Sequence, residues 1–85
     1  MSFPKSINGK KVLSFSRKSY YGMFGNVPIS YIAIVYDEHI PGYISYECND
    51  KYEILGYTIW YDDSLTECKD GIQITYSKQI EWAVS

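Results

Sequence analysis

From residue 11 to residue 61, apolar and polar positions alternate in short runs parted by turn-forming residues, a period of two that predicts strands. Asn8-Gly9 marks a turn. The run 11–16 after it sets Leu13 and Phe15 on one face and Ser14 and Ser16 on the other, as a half-buried strand would. Residues 17–26 lose all period at two glycines and an asparagine and read as an aromatic-rich loop. The run 29–36 is almost wholly apolar and β-branched, which predicts a central strand covered on both faces. After Pro41-Gly42 the alternation resumes over 43–48, turns at Asn49-Asp50 and returns over 52–61. In that return Leu55, Tyr57, Ile59 and Tyr61 share a face, and Gly56 marks a bulge or a place where a neighbouring ring covers the backbone.

The period changes near Asp63. Ser64 and Glu67 stand at capping-box spacing, and Leu65, Cys68, Ile72, Tyr76, Ile80 and Ala83 then fall at helical intervals. Ile72, Ile74 and Tyr76 also alternate as a strand would, and Gly71 is a candidate helix stop. The fuller pattern favours one helix from Ser64 to about Trp82, packed across the sheet. The expected fold is α+β: an antiparallel meander of about four strands with one C-terminal helix on one face. At 85 residues, 1–85 forms a single domain.

Composition adds three constraints. Apolar residues make up 46% of the chain and the net charge is only −2, which excludes a disordered chain. No apolar run is long enough to span a bilayer, and Met1 to Lys11 lacks the apolar core of a signal peptide. Cys48 and Cys68 then read as reduced, buried thiols, and the expected location is cytoplasmic, in the producing cell or in an infected host. Charge is sorted along the chain. Residues 1–36 carry five cations and no acid, whereas residues 37–85 carry ten acids against three lysines. Such sorting marks a basic face and an acidic face if the fold keeps the halves apart.

Catalytic chemistry finds little to work with. The one histidine, His39, follows Asp37-Glu38 in a turn, where adjacent side chains diverge, so no metal site is expected. There is no nucleophile motif and no phosphate-binding glycine motif. The Asp62-Asp63 pair stands where capping acids belong. No cofactor and no enzymatic activity are expected.

Two binding readings remain. Lys10, Lys11, Arg17 and Lys18, with Tyr20, Tyr21 and Phe24 behind them, combine phosphate-neutralising charge with stacking rings, as a nucleic-acid or nucleotide site would. The pI near 5.2 weighs against that reading. The favoured expectation is a small non-catalytic inhibitor, immunity or antitoxin protein that covers a basic partner, such as a nuclease. Its surface would comprise Asp62, Asp63, Glu67, Asp70, Glu47 and Glu53 with Tyr43 and Tyr52, because acids steer encounter and tyrosines supply contact area. Homodimerisation through a free sheet edge is also expected from such a fold.

Overall fold

A computed structural model describes residues 3–83. The chain is an α+β fold with a curled antiparallel sheet of five strands in the order β1-β2-β5-β6-β7. These are β1 (Ser6–Ile7), β2 (Lys10–Phe15), β5 (Tyr31–Asp37), β6 (Gly42–Cys48) and β7 (Ile54–Trp60). A small hairpin of β3 (Met23–Phe24) and β4 (Val27–Pro28) is inserted between β2 and β5. One helix, α1 (Leu65–Ile74), follows the last strand. The expected four-stranded meander thus gains a fifth strand. Asn8 and Gly9, at φ of 51° and 79°, make the tight turn that folds β1 back onto β2.

Both faces of the sheet carry a core. On one face Ala33, Val35, Ile44, Tyr46 and Cys48 are covered by the N-terminal segment, whose Phe3 ring stacks on Phe15 at 5.0 Å. On the other, Ile32 and Ile34 pack beneath Cys68 and Ile72 of α1, together with Tyr21, Ile29 and Ile80. The central strand β5 is accordingly buried on both sides, as its apolar run requires. The expectation for β2 needs correction. A bulge between Val12 and Ser14 displaces Leu13, and Ser14 and Ser16 face the helix side in the interior instead of solvent. Burial of Ser16 is compensated because its Oγ accepts the Ile32 N–H at 2.8 Å.

The long helix also needs correction. Ser64 caps α1 by accepting the Glu67 N–H, but the helix ends at Ile74 after only ten residues. Thr75 closes it with its hydroxyl donating to the Ile72 carbonyl, and Gln73 then folds the chain back. The Gln73 amide donates to the Lys78 carbonyl and accepts from the Ile80 N–H. The tail beyond runs extended along the end of β2, with Arg17 N–H bonded to Glu81 O and Ala83 N–H to Phe15 O. Ile80 therefore reaches the helix-side core, as its spacing suggested, by a tail that doubles back. Gly71 does not stop the helix. It lies within α1, where a Cβ would come 3.0 Å from the Trp60 ring.

Candidate functional site

The acids expected to form one surface lie in three places. Asp63, Glu67 and Asp70 are exposed, stand at helical spacing along the outer side of α1 and its entry, and lead to Ile74, which is 86% exposed. Asp62 lies beside them, half-buried. No ion pair reaches any of these four among the described residues, where the only salt bridge is Lys10–Asp37 at 3.6 Å. Lys69, the helix's own cation, turns instead over the Trp82 ring at 5.2 Å.

Glu53 is exposed at the opposite end of β7, where the Asn49 side chain binds both its carboxylate and its backbone N–H. The two named tyrosines also part company. Tyr43 is half-buried on the helix side and meets Tyr36 edge-on. Tyr52 sits in the β6–β7 turn at φ 65°, and its ring packs against Phe3 on the other face.

Glu47 lies elsewhere again, on the floor of a cleft between β6, β7, the β3–β4 hairpin and the end of α1. The cleft holds about 410 Å³ and is walled by Tyr21, Met23, Trp60, Ile72 and Tyr76. Tyr76 donates its hydroxyl to Glu47 Oε2 at 2.6 Å. Burial, and then the neighbouring Glu47, push the Tyr76 phenol well above its ordinary range, so it stays a donor at neutral pH. Trp60 donates Nε1–H to Ser45 Oγ at 2.8 Å, which fixes one wall. On the hairpin, Phe24 covers Gly56, where a Cβ would come within 2.6 Å of its ring. Beside Gly56, Leu55 is the extra residue of a bulge between the Glu47–Gly56 and Cys48–Ile54 pairs and packs against the helix-side core, off the face it was expected to share with Tyr57 and Ile59. The lining includes one carboxylate and no histidine, cysteine or second acid among the described residues. Such a cleft can bind a cation or a hydrogen-bond donor against aromatic walls.

The basic residues are spread along β2. Lys10 and Lys11 begin the strand, and Lys10 is paired with Asp37. Arg17 and Lys18 follow its other end, on the order of 20 Å away at strand rise. Tyr20 is exposed near that second pair, whereas Tyr21 is buried with its hydroxyl donating to the Arg17 carbonyl, and Phe24 is committed to Gly56. The structure brings no single phosphate-and-base surface together from this set.

In the Asp37–His39 turn, Asp37 accepts the His39 N–H at 2.9 Å, which holds its carboxyl below the usual range. No cluster of three metal-ligating side chains occurs among the described residues. Cys48 and Cys68 are free and buried in different cores on opposite faces of the sheet. Among the described residues, no helix is long and apolar enough to cross a membrane.

Sequence reasoning missed the cleft because Tyr76, Glu47 and Trp60 come together only through tertiary packing. Gly56 and Gly71 were its one trace, since both are glycines that a ring approaches. No family model, curated protein or solved structure matches this chain.

Proposed function

We propose that this chain is a non-catalytic protein-binding module of the inhibitor or immunity type, working in the cytoplasm of its producer or of a host. It covers a basic site on a partner with the outer face of α1 and the adjoining cleft. The observation that carries this reading is the stripe of Asp63, Glu67 and Asp70, exposed and without ion pairs among the described residues, running to the exposed Ile74. Unpaired acids on one helix face attract a basic surface at long range, and an apolar residue at the end of the stripe adds contact area on docking. The Glu47 cleft beside the helix end offers a carboxylate and aromatic walls to a lysine or arginine of the same partner.

Strand order supports the reading further. Lys10 and Lys11 lie on β2 toward one edge of the sheet, while Glu47 lies on β6 and Asp62, Asp63, Glu67 and Asp70 follow β7 into α1 at the other, so these acids stand apart from the β2 lysines.

The test compares immobilised wild-type chain with a Glu67→Lys/Asp70→Lys variant in capture from bacterial and host lysates. Both positions are exposed, so the exchange removes no buried contact, and circular dichroism establishes that the variant is folded. A basic protein held by the wild type, released by about 0.5 M salt and captured at least tenfold less by the variant is the expected result. Equal capture by both proteins, or capture insensitive to salt, overturns the reading.

A further inference from the structure

The open edge of the sheet carries a second surface. β7 pairs with β6 on one side only. Its seven residues, ILGYTIW, include no charge and no proline, the usual guards of an exposed edge.

Hydrogen-bond directions along this edge follow from the central strand. Ile32 O accepts the Ser16 N–H and Ile32 N–H donates to Ser16 Oγ, so the backbone groups of residue 32 point to β2. Alternation then aims those of 33 and 35 at β6, and those of 43, 45 and 47 at β7, where they meet 60, 58 and 56. Residues 57 and 59, and 61 just beyond, therefore aim their N–H and C=O groups away from β6, at the open edge. Their side chains are exposed as well: Tyr57 at 65%, Ile59 at 37% and Tyr61 at 74%.

We infer that this edge pairs with the same edge of a second copy of the chain, antiparallel, about a twofold axis at Ile59. Tyr57 and Tyr61 stand at equal distances from Ile59, so about this axis each meets the other reciprocally, as residues pair across an isologous interface. In this register Ile59 faces Ile59 and each Tyr57 faces a Tyr61. About six backbone hydrogen bonds form across the ladder. The charges are compatible as well. Asp62 and Asp63 fall opposite Gly56 and Leu55, so no acid meets an acid and no buried charge is created. Covering the three side chains and the intervening backbone on both copies removes on the order of 1,000 Å², the lower bound for a specific interface. The axis runs perpendicular to the sheet, so both α1 helices stay on one face, and the dimer offers its acidic stripe twice.

Sedimentation analysis of the full chain at roughly 1–500 µM, the range for an interface of this size, tests the pairing. The wild type is expected to move toward twice the chain mass of 9.9 kDa as concentration rises. Ile59→Lys places two cations face to face on the axis and is expected to weaken the dimer about 100-fold or more. Tyr57→Lys alone and Tyr61→Glu alone each weaken it about tenfold. The double variant sets the introduced cation against the introduced acid at both ends and recovers the affinity. Far-ultraviolet circular dichroism establishes that each variant is folded, and the double variant carries the test if Ile59→Lys is not. A wild type that stays monomeric throughout, a dimer indifferent to Ile59→Lys, or a folded double variant no better than the singles overturns the inference. Each of these results leaves the reading of the α1 face standing, because that face is tested by capture.

Discussion

At the scale of single residues, one tight contact between strand and helix is set by a side chain whose polar end is tied. Trp60 lies against Gly71 because its indole N–H is held by Ser45 Oγ at 2.8 Å. In a free helix, Gly71→Ala would stabilise by about 1 kcal/mol. Here the added methyl would meet the ring at 3.0 Å, and the anchored ring resists moving. Gly71→Ala is therefore expected to destabilise the protein by about 1 kcal/mol, read from denaturant midpoints. Ser45→Ala removes the anchor and frees the ring to shift. In that background Gly71→Ala should be neutral or stabilising, so the double-mutant cycle should show positive coupling of about 1 kcal/mol or more. Strict additivity would show that the ring is held by packing alone. The same tether shapes the proposed binding cleft, since Trp60 is one of its walls.

At the scale of elements, α1 and its tail show how one side chain can substitute for several turns of helix. Gln73 uses both ends of its amide, toward Lys78 O and Ile80 N, and so fixes the reversal that returns the chain to β2. Gln73→Ala removes both bonds while leaving the helix intact, because the change raises helix propensity. Amide exchange should report this directly. The N–H groups of Arg17 and Ala83, bonded across the tail to Glu81 and Phe15, are expected to lose at least tenfold in protection. Those within β5 and β6 should be unchanged. The strands were legible in the sequence because alternation and turn residues are local signals: the 31–37 core strand, the Asn8-Gly9 turn and the return over 54–60 lie within a few residues of expectation. The Ser64 cap was legible for the same reason. The helix end was not. Ile80 continues the helical spacing and is buried on the helix-side core, yet it arrives by a reversal that depends on one glutamine. Ser14 and Ser16 misled in the opposite way, since polarity placed them on the solvent side and only the Leu13 bulge and the bond to Ile32 explain their burial. Of the candidate sites, the acidic residues around α1 were legible as charge, but the grouping with Glu53, Tyr43 and Tyr52 dissolved once two faces and two strand ends were assigned.

At the scale of the whole molecule, the sheet divides the interior into two cores, and each holds one thiol. Cys48 lies on the face covered by Phe3, and Cys68 lies under α1. Burial pushes Cys48 up to about 11 and Cys68 up to about 12, and it raises Tyr76 as well. In the unfolded chain a thiol ionises near its ordinary value of about 8.5. Because the folded values are the higher ones, the full stability is present below about pH 8.5 and declines as pH rises toward 11–12. The loss cannot exceed roughly 1.4 kcal/mol per thiol for each pH unit. Since the thiols belong to opposite cores, neither face can shed its burden by opening alone, and the expected response is one cooperative loss of the fold. Urea midpoints should be level from about pH 6 to 8 and fall from about pH 9 upward. Cys48→Ala and Cys68→Ala should each reduce the slope of that fall, whatever they do to the plateau. At pH 8 the native thiols should react with a disulfide reagent at least about 100-fold more slowly than in urea, as their depressed thiolate fractions and burial require. Rapid labelling of either cysteine in the native protein, or midpoints level to pH 11, would show that the cores open without unfolding, and that the two-sided sheet is not the unit of stability.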